Sequence, residues 1–168
     1  MFREMRRHRQ QLPDDVALEV LQSATSGVLS VMGDDGYPYG VPLSHSYKDG
    51  KLYFHSAVEG HKIDAIRNCD KACFTVIAGD DVKYDGSFTT HFTSVICFGR
   101  IRILEGDEVS RAAHMILGEK FEGDLHAEWI ESMEKDLHRM LMIEFEIEHM
   151  TGKEAKELMM MRQAHTGE

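Results

Sequence analysis

The segment Leu52-Tyr-Phe-His-Ser-Ala-Val-Glu-Gly-His-Lys-Ile-Asp64 holds the densest chemistry in the chain. An apolar strand runs into His55 and Ser56, Gly60 breaks the pattern, and a helix opens with Lys62 in its first turn. Backbone N–H groups at a helix start, the positive end of the helix dipole and a nearby lysine together suit a phosphate monoester. Ser56 and Lys62 are the side chains with the reach to join such a group. The same spacing also describes an ordinary turn at Gly60 followed by a solvated lysine, and Gly-x-Lys alone does not separate the two readings. His55, at the end of an apolar strand, is open to three roles: a hydrogen-bonded core histidine, a proton donor, or a partner to a bound ring.

The other chemistry-bearing residues point to packing. The 10 histidines include no His-x-x-x-His pair and no helical Glu-x-x-His pair, and no cysteine stands close enough to complete a tetrahedral set, so no metal site is expected. His126 and Trp129 fall in a helical stretch, where they either line a pocket or pack. The 3 cysteines are odd in number, and Cys69 and Cys73 lack the two-residue gap of a redox or zinc pair, which makes buried, reduced thiols the expectation. Among the 11 methionines, Met140, Met142 and the run Met159 to Met161 read as filler of irregular packing or of a subunit contact. No dinucleotide fingerprint, phosphate-binding P-loop or nucleophile elbow is present.

Composition narrows the class. With 168 residues, 42% hydrophobic and 29% charged, the chain fits one domain over residues 1–168. Its 19 basic and 29 acidic residues leave a formal charge of −10, which repels an extended phosphate backbone and argues against nucleic acid and acidic membrane surfaces as partners. No apolar run approaches the ~18 residues of a membrane span. The basic start, Met-Phe-Arg-Glu-Met-Arg-Arg-His-Arg, runs into Asp14, Asp15 and Glu19 where a secretory signal needs an apolar stretch, so a cytoplasmic protein is expected.

The elements that must position these residues are mostly strands. Val16, Leu18, Val20, Leu21 and Ala24 predict a helix over 14–25, entered through Pro13 and Asp14. Residues 27–32, 37–47 and 51–56, separated by Asp34-Asp35-Gly36 and Lys48-Asp49-Gly50, predict a three-strand antiparallel meander. Pro38 and Pro42 place its middle strand at an edge or a bulge. A short helix over 61–68 and a strand over 71–77 follow, then a polar loop over 79–90. The strand over 91–104 has apolar residues at both parities, which predicts cover on both faces. Helices are expected over 107–121 and 127–137. The strand beginning at Leu141 sets Leu141, Ile143, Phe145 and Ile147 against Glu144, Glu146 and Glu148, and a short helix from Lys153 ends the chain. About six strands with few parallel crossovers predict a mainly β fold, an antiparallel barrel with peripheral helices, and a ligand on its outside or at a subunit contact.

The ordered blocks Met5-Arg-Arg-His-Arg9, Gly27-Val-Leu-Ser-Val31, Asp35-Gly-Tyr-Pro-Tyr-Gly-Val-Pro-Leu-Ser44, Leu52-Tyr-Phe-His-Ser-Ala57, Gly60-His-Lys-Ile-Asp-Ala-Ile66, Ser94-Val-Ile-Cys-Phe-Gly-Arg100 and Met150-Thr-Gly-Lys153 resemble the nitroimidazole-resistance flavoproteins. These belong to the pyridoxamine 5′-phosphate oxidase-like split-barrel superfamily. The resemblance spans about residues 1–156. It implies a six-stranded split β-barrel that forms a homodimer and binds FMN at the subunit interface. Carried over, it sets Val41, Pro42, Leu43 and Ser44 along the isoalloxazine ring and ribityl chain. His55, Ser56, Ala57, His61 and Lys62 then run toward the phosphate, and Thr93, Ser94 and Val95 come from the long strand, contributed by the other subunit.

The same resemblance implies an oxidoreductase that takes hydride from NADH or NADPH and passes electrons to a small acceptor such as a nitroaromatic or a quinone. His55 would then be the catalytic residue, donating a proton on the substrate side of the flavin. Two alternatives belong to other classes: a haem-binding split barrel with His55, His61 or His91 as axial ligand, and a flavin-binding sensor without turnover.

Overall fold

The computed structural model describes residues 1–84, 89–121, 123 and 127–166. Helix α1 (Asp14–Ser23) starts after Pro13, with Asp14 and Asp15 against the positive end of its dipole, and buries Ala17 and Leu21. Strands β1 (Ser26–Met32) and β2 (Pro38–Ser44) form a hairpin whose turn holds Asp35 and Gly36 at positive φ. β3 (Ser46–Lys48) and β4 (Lys51–Ala57) form a second hairpin, turned by Asp49 and Gly50 in the left-handed region. After α2 (His61–Asn68) come β5 (Lys71–Val82), β6 (Thr90–Ile103), α3 (Asp107–Phe121), α4 (Ala127–Asp136), β7 (Met140–Glu154) and α5 (Lys156–Thr166).

All strands join one antiparallel sheet in the order β2-β1-β5-β6-β7-β4-β3. Its two edge strands, β2 and β3, are separated in the chain by His45 alone. One intervening residue spans at most about 7 Å between the flanking Cα atoms, so the sheet has to roll until its edges meet. The result is an antiparallel split barrel with helices outside the strand runs. Pro42 is accommodated because β2 pairs only with β1. Inside, Leu29, Leu52, Phe54, Phe74, Val76, Val95, Ile143 and Phe145 are buried, and Leu21 of α1 and Ile63 of α2 complete the core. Each such side chain contributes roughly 1.5–3 kcal/mol by leaving water.

His45 closes the seam. It is fully buried, its Nε2–H donates to the Leu21 carbonyl at 2.8 Å, and its ring meets Phe74 edge-on at 4.8 Å. Burial lowers its pKa to about 4, so the ring is neutral near pH 7 and Nδ1 is left without a partner. Where β6 crosses β7, the register shifts at Gly99, and a Cβ there would lie 1.9 Å from the Glu146 carbonyl oxygen; only glycine permits this approach.

Several sequence expectations need correction. The meander does not form as one unit: the stretch over 37–47 splits at His45 into β2 and β3, and β4 pairs with β7 rather than β2. The strand pairing is long-range and does not show in local turn signals. The expected loop over 79–90 is shortened at both ends, because β5 runs to Val82 past a register shift between Ile77 and Gly79, and β6 begins at Thr90; residues 85–88 lie outside the described residues. The strand over 91–104 is not covered on both faces. Val95, Cys97 and Ile101 are buried, but Ile96 and Phe98 on the opposite face are 36% and 41% exposed. Lys153 lies in β7, and α5 starts at Lys156. Cys97 is buried as expected, whereas Cys69 and Cys73 are half-buried. Met142 is buried beneath α3 with Leu104, Ala113 and Leu117, while Met160 and Met161 are exposed. Glu144, expected on a polar face, is 6% exposed and held by Lys51 at 3.1 Å and Arg102 at 2.7 Å. Burial alone would raise its pKa, but these two cations outweigh it and leave the carboxyl below its usual range. No helix among the described residues is long and apolar enough to cross a membrane.

Candidate functional site

Strand alternation distributes the candidate residues over two faces. In β2, Val41 and Leu43 pack against the core, and Pro42 and Ser44 are exposed. In β4, Leu52, Phe54 and Ser56 turn inward while His55 and Ala57 turn outward and are exposed. Ser56 is 5% exposed, and its Oγ has no hydrogen-bond partner. A buried hydroxyl left unpaired costs about 1–3 kcal/mol, which a ligand acceptor would recover.

β4 leads through Val58-Glu59-Gly60 into α2. Gly60 at φ 126° occupies the cap position and has no side chain to cap the helix. The first helical bonds run from the Ile63 and Asp64 N–H groups to the Gly60 carbonyl, so the N–H groups of His61 and Lys62 precede the ladder. Lys62 is half-buried and makes no ion pair among the described residues. His61 anchors this end of α2 to the first hairpin: its ring stacks on Tyr39 at 4.1 Å, and its Nε2 lies 3.6 Å from the Asp34 carboxylate. The structure thus joins the α2 start to β2, the strand that carries Val41–Ser44. A helix start without a side-chain cap, a lysine with no anionic partner and a buried unpaired hydroxyl at the end of the strand leading into it fit a phosphate-bearing group.

Thr93, Ser94 and Val95 are not brought alongside these residues by strand pairing within one chain. They pair with Gly79, Ile77 and Val76 of β5 and with Glu154, Lys153 and Gly152 of β7. Thr93 and Ser94 are half-buried, and Val95 is buried in the core.

The outer face of β4 holds a feature that the sequence did not disclose. His55 sits beside α3, its ring centroid 6.2 Å from that of His114, and His114 meets Trp129 of α4 edge-on at 5.5 Å. His114 is 9% exposed with Nδ1 unpaired; burial, reinforced by the proximity of His55, lowers its pKa. Trp129 therefore packs beside the histidine pair, while His126 lies outside the described residues. Helical spacing marks His114 only as part of the buried face of α3, and its neighbour across the layer is set by how α3 docks. A cleft of about 650 Å³ opens elsewhere, lined by Ile66, Arg67, Ile101, Leu104, Ser110 and Leu141 among others, and includes none of the candidate residues.

A rolled antiparallel sheet whose edges meet at one residue defines a split barrel, and the α2 start docks at the far end of β2 from that seam, on Tyr39 and Asp34. The chain belongs to the pyridoxamine 5′-phosphate oxidase family, whose match covers residues 13–154. No curated protein matches it in sequence. Among solved structures it is similar to a protein from Bacteroides thetaiotaomicron named for 5-nitroimidazole antibiotic resistance, at 22% identity and a TM-score of 0.74, with 85% of each chain covered. A conserved protein from Mycobacterium tuberculosis is similar at 17% identity and a TM-score of 0.77, with 92% of each chain covered. A FAD- and haem-binding protein from Mycobacterium smegmatis shares the fold at 18% identity and a TM-score of 0.72, covering 88% of this chain and 74% of its own.

Proposed function

We propose that the protein is an FMN-binding reductase, one domain over residues 1–168, acting in the cytoplasm as a homodimer with the flavin at the subunit interface. The observation that carries the reading is the α2 start: Lys62 and the leading N–H groups, with the unpaired Ser56 hydroxyl at the end of β4, suit the terminal phosphate of a flavin nucleotide. The family match and the fold shared with a FAD- and haem-binding protein support a flavin in particular. When bound, the flavin supplies hydride and electron transfer between a reduced nicotinamide and a small acceptor such as a nitroaromatic or a quinone.

The residues of the chain bind, orient and move protons. Val41, Pro42, Leu43 and Ser44 line the ring and ribityl side, where an edge strand leaves backbone groups of β2 free of ladder bonds. His55, Ala57 and His61 border the same route, His61 by holding α2 against Tyr39. Thr93 and Ser94, half-buried, reach the site from the partner subunit, and Val95, buried in that subunit's own core, fixes the strand that carries them. His55, exposed beside His114, holds the proton that a reduced nitro or carbonyl group takes up.

The absorption spectrum of the purified protein, with mass identification of what it releases on denaturation, tests this reading. A yellow protein that releases FMN, is bleached by NADH or NADPH and is reoxidised by a nitroimidazole supports it. A colourless protein that takes up no added FMN overturns it. Persistent oxidation with both nicotinamides would make it a flavin-binding sensor. A haem-binding role is the second reading, supported by the fold shared with the FAD- and haem-binding protein. It falls to His55 or His91, because the His61 ring is engaged by Tyr39 and Asp34. A Soret band on adding haem, lost on replacing one histidine, would establish it.

A further inference from the structure

The basic start of the chain is not used by the flavin reading, yet it is folded onto the barrel. The Leu12 N–H donates to the Gly152 carbonyl at 3.0 Å, Gln11 bridges Lys153, and Gln10, 9% exposed, donates its amide N–H to the Glu154 carbonyl at 3.3 Å. Residues His8–Gln10 form a 3₁₀ turn, and Arg7 donates to the Gln10 side chain at 3.4 Å. Together with the start of α5, this arm encloses a groove of about 380 Å³ lined by Arg6, Arg7, His8, Arg9, Gln10, Lys156 and Met159.

The charge of this groove runs against that of the molecule. Three arginines and a lysine line it, and no carboxylate does, in a chain of net charge −10. Among the described residues, Arg6, Arg9 and Lys156 make no ion pair. The nearest buried carboxylate, Glu154, is already engaged by Arg162 at 2.7 Å. The first bond of α5 runs from the Met159 N–H to the Ala155 carbonyl, so the positive end of this helix faces the same cations. Guanidinium forks are matched to phosphate oxygens, and Met159 offers an adaptable apolar floor for a base. The overall negative charge disfavours a long polyanion, and the volume suits one nucleotide.

We propose that this groove binds the phosphorylated adenosine end of a nucleotide. Resting on the reductase reading, the nucleotide is the nicotinamide donor carrying a 2′-phosphate. The groove is joined to the flavin candidates through β7: Gln11 bridges Lys153, which pairs with Ser94, and Glu154 pairs with Thr93. A dinucleotide anchored at the arm would extend along that edge toward Thr93 and Ser94.

Titration calorimetry of the full chain, with and without FMN, using adenosine 2′,5′-bisphosphate as the probe decides the matter. The expected result is saturable binding that weakens as salt rises, with FMN uptake unaffected. Arg6→Ala combined with Arg9→Ala should weaken the probe at least tenfold with an unchanged melting temperature, and Arg9→Gln should weaken it with the arm's shape preserved. Adenosine 5′-monophosphate should bind at least tenfold more weakly than the bisphosphate. Absence of saturable binding, full affinity in the double variant, or loss of the probe in Lys62→Ala but not in the arm variants would overturn the site. Equal affinity for the two probes would overturn the 2′-phosphate assignment. Probe binding that depends on the arm in a protein that takes up no flavin would refute the flavin reading and leave the nucleotide site standing.

Discussion

His45 makes folding stability depend on pH with a sign and size that follow from its surroundings. The ring is fully buried at the seam, and its pKa falls from 6.5 to about 4 on folding. Below pH 6.5 the unfolded chain therefore binds a proton that the folded chain refuses, and stability is lost as pH drops toward 4. Integrated between pH 7 and pH 5, this single group removes about 2 kcal/mol. In His45→Gln the side-chain amide can still donate to the Leu21 carbonyl, now 2.8 Å from the His45 Nε2, but it does not titrate. Urea unfolding of both proteins at matched pH values measures the difference directly. His114, whose pKa burial also lowers, contributes alike to both chains and cancels. The wild type should lose about 2 kcal/mol more than His45→Gln across that window. Equal losses in the two proteins would refute the assignment. Because β2 ends one residue before His45, the wild type should also release flavin at a higher pH than the variant does.

Lys62→Ala should weaken FMN binding by roughly 10- to 100-fold, the loss of one charge-assisted phosphate contact, and an unchanged titration would return Lys62 to the role of a surface charge. Ser56→Ala should raise the stability of the flavin-free protein by about 1 kcal/mol in thermal or urea melts, since it deletes a buried unpaired hydroxyl, while lowering flavin affinity. Both changes in the same direction would show that the hydroxyl has no ligand partner. His55→Gln should keep the flavin spectrum and slow steady-state reduction of a nitroimidazole by roughly 10²-fold or more, and full turnover would exclude a proton donor at this position.

Local features of this fold were legible wherever the physics is local. Asp35-Gly36 and Asp49-Gly50 announced turns because left-handed backbone suits those residues, and both turns sit at those positions. The periodicity of Ile63 and Ile66 marked the buried side of α2, and Pro42 marked an edge strand. The ordered blocks led to the family whose match spans residues 13–154. The candidate site was legible in part: Ser56, Gly60, His61 and Lys62 lie in sequence at one strand-to-helix junction, so chain order alone brings them near. His114 and the engagement of His61 by Tyr39 were not legible, since both depend on contacts across elements distant in the chain.

The sequence by itself thus marked most of the elements, the two hairpin turns and the strand-to-helix junction that carries Ser56, Gly60 and Lys62, because those follow from backbone preferences over a few residues. Only the tertiary structure decided how the strands pair, and with it much else. β4 chose β7 over β2, which let the sheet roll and buried His45 at the seam. It also sent Ser56 inward and His55 outward, and it set Glu144 between Lys51 and Arg102. Pairing between strands some 90 residues apart is selected by burial of the whole core at once, a quantity that no local stretch of sequence carries.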